Sequence, residues 1–532
     1  MPFYIGKFSE PLDSARIVHL QDPVETELLR DGDIVERWDH VFEWDSQCVK
    51  ASRLEEWRAM GDPLCDAALR SMFTSASSST GVDLLERLQS DAALNPEGPS
   101  QDLLDDVSLL PPNGIAATPL EIREAHTFFL QHSVAIMQCL MHFSLAGGFA
   151  SPRITRALQA VSYLVPPRKN STHMAEITPE LNDRTYSRLL ETFQFVLDVM
   201  ACTNTNPLEK SSSCLDPGGD GWKAALRVRL LHGVARRRIL ERLSLSANSY
   251  SVEDDGIPVN QEDMAATLAS FSVAPLWCLR RVYLLPISPP TLSQRSSFIA
   301  TWRHIGFYLG VDPTILRTHF SSPNAADKFL GSSVLHLLTS ERTPPGSLRP
   351  LFPTIPILLA SSDRPPFPRS FEHQCALTRH LLGSALSTHL GVPPSPVKVE
   401  FCLLLSLIMA QIPVLFSCIY PRRGWSDKRA ALTREALARV VRFQLGMRRT
   451  TFRARNEHGE VGDEVLSLET VKPDTVGGKK LVKEYRALML EMAGVISGVM
   501  VLVIAGMLGW NACLLSSWYF NILINDTKPE EY

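Results

Sequence analysis

Few of the usual marks of a catalytic class are present in this chain. It has ten cysteines in 532 residues but no C-x-x-C pair, so neither a zinc site nor a disulfide framework is indicated, and a reduced, cytosol-facing body is the simplest reading. None of the ten sits in the Phe-x-x-Gly type of loop that a thiolate-ligated haem monooxygenase needs. G-x-S-x-G, H-E-x-x-H and G-x-x-x-x-G-K-[ST] are missing, which removes the signatures of α/β-hydrolases, zincins and P-loop NTPases. A charge excess is lacking too: the net charge is −4 and no base-reading motif is found, which argues against nucleic acid as a partner. The opening MPFYIGKFSEPLDSARIVHL is broken by Lys7, Glu10 and Asp13, so no secretory signal is expected. Internal repeats and long β-type alternation are also absent, which leaves an all-α fold as the expectation.

What is there suits a large folded body, with 45% apolar and 21% charged residues. Punctuation by Pro, Gly and Ser divides it. Residues 1–44 read as a lead-in, and 45–455 as one all-α domain with a loop-rich insert at 75–112 that holds a short helix at Val82 to Leu94. Residues 456–491 read as a polar and basic linker, 492–516 as a transmembrane anchor and 517–532 as a short tail.

Two helical segments carry the candidate chemistry. From Arg184 to Met200, Leu189, Phe193, Val196 and Met200 recur at one helix face, and Arg188 and Thr192 lie four apart on an adjoining stripe. Residues at i and i+4 stack, so a cation and a hydroxyl would stand side by side. From Ala224 to Arg242, His232 falls between an apolar stripe (Val228, Leu231, Ala235, Ile239) and a basic one (Arg229, Arg236). A neutral imidazole aimed from a helix into an apolar pocket suits haem iron, and flanking arginines suit propionates. A hydrogen-bonded core histidine gives the same pattern, and His142 is the alternative ligand on a third helical stretch, Thr118 to Ala150.

The surrounding motifs separate these readings. Pro258-x-x-Gln261-x-Asp263-Met264, Thr267-Leu268, Phe271-Ser272, Trp302-Arg303-x-Ile305-Gly306 and Leu309-Gly310-Val311-Asp312-Pro313 follow in order. Upstream stand Gly61-Asp62-Pro63-Leu64-x-Asp66-Ala67 and Arg227-x-Arg229-Leu230-x-His232. Together they resemble the rubber oxygenases (latex clearing proteins) and the ER-bound MpaB oxygenases, from about Glu56 to Pro313 and most closely over 184–313. The resemblance implies a helical bundle with a globin-like core around haem b and O₂ as co-substrate. It further implies cleavage of a carbon–carbon double bond in a polyisoprenoid or a prenylated lipophilic small molecule. It makes His232 the axial ligand and places Arg188 and Thr192 in the haem pocket, where Arg229 and Arg236, by their position beside His232, are the expected partners of the cofactor. One departure stands out. Rubber oxygenases carry a glutamate ahead of the Arg/Thr helix as a proposed base, whereas Asn170-Ser171-Thr172 has no carboxylate. Glu176, Glu180 and Glu191 are the nearby carboxylates, and Glu191 falls where some relatives place a lysine. The rival reading is a non-catalytic tail-anchored scaffold that keeps the fold.

Met492 to Asn525 holds no charged residue, more than the roughly 20 residues a span requires. Lys479, Lys480, Lys483 and Arg486 precede it, while Asp526, Glu530 and Glu531 follow with Lys528. The positive-inside rule then puts the body in the cytosol, with the endoplasmic reticulum as the expected membrane. A second run, Phe401 to Tyr420, is broken by Gln411 and Pro413 and reads as a core or membrane-resting helix rather than a span. The basic stretch Arg422 to Arg455 reads equally as a headgroup-binding surface helix and as a solvated face.

Overall fold

Apolar residues recurring every three or four positions commit most of this chain to helix. The computed structural model describes residues 3–4, 17–20, 22–161, 179–203, 214–243, 250–285, 290–338, 354–365, 368–454, 468–470 and 475–526. The chain divides into two compact units, residues 1–414 with 433–473, and residues 415–432 with 474–532.

In the first unit, the elements that frame the site are α1 (Ala51–Arg58), α2 (Pro63–Met72), α3 (Pro119–Cys139), α4 (Pro152–Val161) and α5 (Pro179–Val199). They continue with α6 (Asp220–Leu243), α7 (Gln261–Val282), α8 (Leu292–Tyr308) and α9 (Pro323–Leu337). Starts are written in the sequence. Thr118 and Glu121 form a capping box on α3, Thr291 and Gln294 another on α8, and Asn260 caps α7 through the amide of Asp263. Helix α7 is buried along nearly its whole length and packs against α3, α8 and α9, so it is the axis of the core. Helix α3 runs into a π-helical turn, Leu140–Leu145, a widened turn of the kind that often marks functional sites.

The lead-in over residues 1–44, to which the sequence assigns no structure, carries strands. Strands β1 (Phe3–Tyr4), β2 (Ile17–His19), β3 (Ile34–Arg37) and β4 (His40–Glu43) form a small mixed sheet in the order β1-β4-β3-β2. Strands β3 and β4 are joined by Trp38 and Asp39, both at positive φ. That is the backbone twist a two-residue hairpin demands. The missed strands are two to four residues long, too short for alternation to register. The insert at 75–112 contains Leu84–Leu94 as expected and a second helix, Pro99–Val107.

The motifs that lie far apart in sequence meet in one knot. Gln261 Nε2 donates to the carbonyls of Gly61 (2.9 Å) and Gly310 (3.0 Å), and its Oε1 accepts from Asp312 N at 2.8 Å. Asp62 caps α2 through Cys65 N and takes a bidentate contact from Arg229, at 2.7 and 3.0 Å. Gly310 sits at φ +83°, and a Cβ there would lie 2.4 Å from Asp62 and 2.7 Å from Arg229. Only glycine fits both the angle and the approach.

Helices α10 (Val397–Ile419), α11 (Arg423–Gln444) and α12 (Thr475–Asp526) follow. In the first unit Gln411 donates to Val282 O at 2.9 Å and accepts from Leu285 N at 2.9 Å, contacts of a helix tied to protein. Later arginines of the basic stretch also find protein partners there. Arg439 pairs with Glu435, Arg449 with Asp198, and Arg453 donates to Gly81 O.

In the second unit Phe416, Trp425, Leu432 and Leu488 form a small core joined by Met492, Val495 and Ile496. Tyr420 and Arg422 both reach Glu491, at 3.0 and 2.6 Å. The expected linker over 456–491 is therefore helical from Thr475 on, because Leu481, Leu488 and Met492 continue one apolar stripe down α12. Among the described residues, three helical stretches are long and apolar enough to cross a membrane: Pro119–Gly148, Val397–Ile419 and Thr475–Leu508. The apolar 18-residue window of the first is 72% buried inside the protein, so that stretch belongs to the core, whereas that of the last is 6% buried.

Candidate active site

A cavity of about 540 Å³ opens in the first unit, within the size range of ligand sites. Helix α5 contributes Arg188, Glu191, Thr192 and Phe195, and α6 contributes Val228, Leu231, His232, Ala235 and Arg238. Asp263, Met264, Thr267 and Phe271 come from α7, Phe143 and Ser144 from the π-helical turn, and Trp302 from α8. Arg188, Thr192 and His232 thus share one cavity, as their spacing and the motifs around them lead one to expect.

Their local chemistry is specific. Arg188 Nη1 bonds Glu191 Oε2 at 3.1 Å rather than standing free beside Thr192, whose hydroxyl donates to the Arg188 carbonyl at 3.2 Å. Thr192 keeps its oxygen lone pairs, and the cation of the stripe is half-neutralised by its own helix. His232 is held neutral. Burial and then the nearby Arg236 cation push its pKa down to about 4, against a weaker pull from Asp62. Its Nδ1 has no hydrogen-bond partner among the described residues. A neutral imidazole on a mostly apolar wall, its Nδ1 not engaged by any described residue, is the donor an axial metal position calls for.

Arg229 and Arg236 are placed differently from the expectation. Neither lines the cavity. Arg229 is 5% exposed and engages Asp62 and, at 3.6 Å, Asp106. Burial works against its charge, but the Asp62 carboxylate more than offsets this and holds its pKa above the ordinary value. Arg236 pairs with Asp66 and donates to the carbonyls of Pro258 (3.2 Å) and Val259 (3.0 Å). They clamp α6 to α2 and to the turn before α7. The cations on the cavity wall are instead Arg188, Arg238 and Arg453. Helical phase does not explain the exchange, because Arg236 is one turn beyond His232 whereas Arg238, six residues on, is about 120° away; Asp62 and Asp66 instead draw Arg229 and Arg236 off the wall.

His142 is not on the wall. It is 3% exposed, hydrogen-bonded through Nδ1 to Thr378 Oγ1 at 2.8 Å, and pushed down to about 3 by burial with His373 nearby. It is a satisfied core histidine. Among the carboxylates weighed as bases, Glu176 and the Asn170-Ser171-Thr172 stretch lie outside the described residues, and Glu180 is exposed away from the cavity. Glu191 lines it.

Asp263 is the site residue that sequence reading passed over, quoted only as part of a motif. Burial drives its carboxyl up to about 7, against the lowering influence of Arg153, with Glu262 raising it further. The neighbouring Glu262 shows the opposite outcome. It is fully buried, yet His336 Nδ1 (2.5 Å), Arg153 Nη2 (2.8 Å) and Arg58 Nε (3.3 Å) surround it and hold its pKa below the usual value despite burial.

Comparison with known proteins decides the family. Residues 128–412, more than half of the chain, match the model of the ER-bound oxygenase mpaB/B'/rubber oxygenase catalytic domain. The chain belongs to this oxygenase family. Among solved structures it is similar to latex clearing protein LCP in the closed state, with 15% identity and a TM-score of 0.42 over 72% of this chain and 89% of that one. No curated protein sequence matches it. For a member of this oxygenase family, the cavity shared by α5, α6 and α7 is the natural place to seek the chemistry, since it lies within the matched residues apart from Phe452, Arg453 and Ala454.

Proposed function

We propose that this member of the family is a haem b-dependent oxygenase that uses O₂ to cleave a carbon–carbon double bond in an isoprenoid or prenylated lipophilic substrate. The observation that carries the reading is His232: a neutral imidazole on the cavity wall with Nδ1 unengaged. Among the described residues no three or more His, Cys, Asp and Glu side chains cluster as a metal cage. Haem asks for less, because the macrocycle brings its own nitrogens and needs one axial donor from the protein.

His232 would hold the iron, and Arg188, Arg238 and Arg453 on the wall would meet the propionates. When bound, the haem supplies the iron centre that activates O₂. The protein's part is placement. Phe143, Phe195, Phe271 and Trp302 give an apolar surface for a prenyl chain and keep water from the reacting bond. Thr192 offers a hydroxyl oxygen whose position is fixed by its bond to Arg188 O, and Glu191 is set in place by Arg188 Nη1. Glu191 and Asp263 are the two carboxyl groups on the wall able to accept a proton there.

We further propose that the body works on the cytosolic face of a membrane, the endoplasmic reticulum in the first instance, held by α12. The apolar stretch reaching Leu508 is long enough to span and exposes Val499 to Ile504 together with Met507 and Leu508. Lys479, Lys480 and Lys483 precede it. Such a location favours a substrate that partitions into lipid. Product analysis by mass spectrometry, after incubating the haem-loaded full chain with prenylated compounds under ¹⁸O₂, tests the reaction. Paired carbonyl fragments carrying ¹⁸O are expected; intact substrates throughout would favour the scaffold.

A further inference from the structure

Of the two carboxyl groups that the described residues bring to the cavity wall, one is satisfied and the other is not. Glu191 has Arg188. Asp263, 7% exposed, has one oxygen engaged: Oδ2 accepts from Asn260 Nδ2 at 3.0 Å, while Asp263 N donates to Asn260 Oδ1 at 2.9 Å. These bonds at the first turn of α7 fix the side chain. No donor among the described residues reaches Oδ1. The nearby cations do not supply one, because Arg58 and Arg153 turn to Glu262.

We propose that Asp263 recognises a hydroxyl group on the ligand, so that the substrate is a lipophile bearing an alcohol or phenol rather than a bare hydrocarbon chain. This rests on reading the cavity as the substrate site. A buried acceptor without a donor is destabilising, and a ligand that completes it gains what the empty site lacks. The remaining chemistry selects the donor. A cationic amine would meet the Arg153 and Arg58 charges that already act on Asp263, and a carboxylate would face Asp263 itself. A hydroxyl fits either protonation state of a carboxyl that titrates near neutrality: it donates to the carboxylate and accepts from the acid. A carbonyl can only accept. The surrounding Met264 and Phe271 are apolar, which suits the prenyl part of an amphiphile and raises the cost of leaving the carboxyl unpaired.

The test uses the haem-loaded full chain in detergent and titrates it calorimetrically with farnesol, farnesyl methyl ether and the deoxy hydrocarbon of the same length. Farnesol should bind roughly tenfold more tightly than the hydrocarbon, the size of one buried hydrogen bond made or lost. In Asp263→Leu the ratio should fall to about one while the hydrocarbon binds at least as well. Asp263→Asn turns an amide donor to that position, from which a hydroxyl oxygen can still accept, and should retain part of the preference, which covers the case in which the leucine variant does not fold. Equal binding of alcohol and hydrocarbon by the wild type overturns the inference alone. So does a preference that survives in Asp263→Leu, and equal binding is also what a water bridging Asp263 to Arg153, whose Nη1 has no partner among the described residues, would give. Failure of all three lipids to bind overturns the substrate-site reading and this inference with it.

Discussion

Replacing Asp263 by asparagine should change how stability depends on pH, and the structure sets the direction. The carboxyl titrates near 7 in the fold against an ordinary value of 3.8, because burial penalises its charge more than Arg153 and Arg58 relieve it. The folded state therefore holds this proton more tightly than the unfolded chain. Wild-type stability carries no penalty from Asp263 below about pH 4, declines as pH rises, and levels off above about 7. A shift of about three pKa units corresponds to at most roughly 4 kcal/mol across that window. The asparagine variant lacks this titration. Its amide presents a donor where Oδ1 found no partner, at a constant cost of about 1–3 kcal/mol that does not vary with pH. Arg58, Arg153, Glu262, His336 and Tyr250 remain in both proteins and largely cancel in the difference. Thermal midpoints measured from pH 4 to 8 at fixed ionic strength should show the variant gaining on the wild type by several degrees as pH rises. Parallel profiles would refute the raised pKa and the burial from which it follows.

Other expectations follow from the knot behind the cavity. Arg229→Ala leaves Asp62 buried without its bidentate partner, at 2.7 and 3.0 Å in the native protein, and should cost about 3–5 kcal/mol in chemical denaturation. Gly233→Ala places a Cβ 2.5 Å from Leu69 and 2.7 Å from Cys65. Such overpacking costs about 1–3 kcal/mol, and if His232 holds a haem as proposed, the displaced α6 should also broaden the spectrum of the haem-loaded protein. Arg188→Ala and Thr192→Ala should lower product formation more than thermal stability; equal losses of both would show that these residues serve the fold rather than the site.

The parts of this site that were legible in sequence are those that helical spacing controls. Arg188 and Thr192 share a stripe of α5, His232 follows on α6, and the three meet in one cavity because each helix turns that stripe inward. The roles of the arginines were not legible. Arg229, Arg236 and Arg238 all lie on α6, and what separates them is which carboxylate another helix brings up: Asp62 and Asp66 take the first two, leaving Arg238 on the wall. Asp263 was hidden for the same reason. Its adjacent twin Glu262 is equally acidic in sequence, and only the tertiary arrangement of Arg58, Arg153 and His336 around Glu262 leaves Asp263 unpaired. The β1–β4 sheet escaped because its strands are too short for a pattern. The polar linker proved helical from Thr475 because its sparse apolar residues fall on one face, which matters only once Trp425 is there to receive them.

The most direct test of the haem reading is the absorption spectrum of the full chain purified with haem, compared between His232→Ala and His142→Ala. A Soret band that survives His142→Ala, with some loss of stability from the broken contact to Thr378, and vanishes or shifts to the free-haem position in His232→Ala is the expected result. A wild type that stays colourless after haem loading, or a band indifferent to His232, would contradict it.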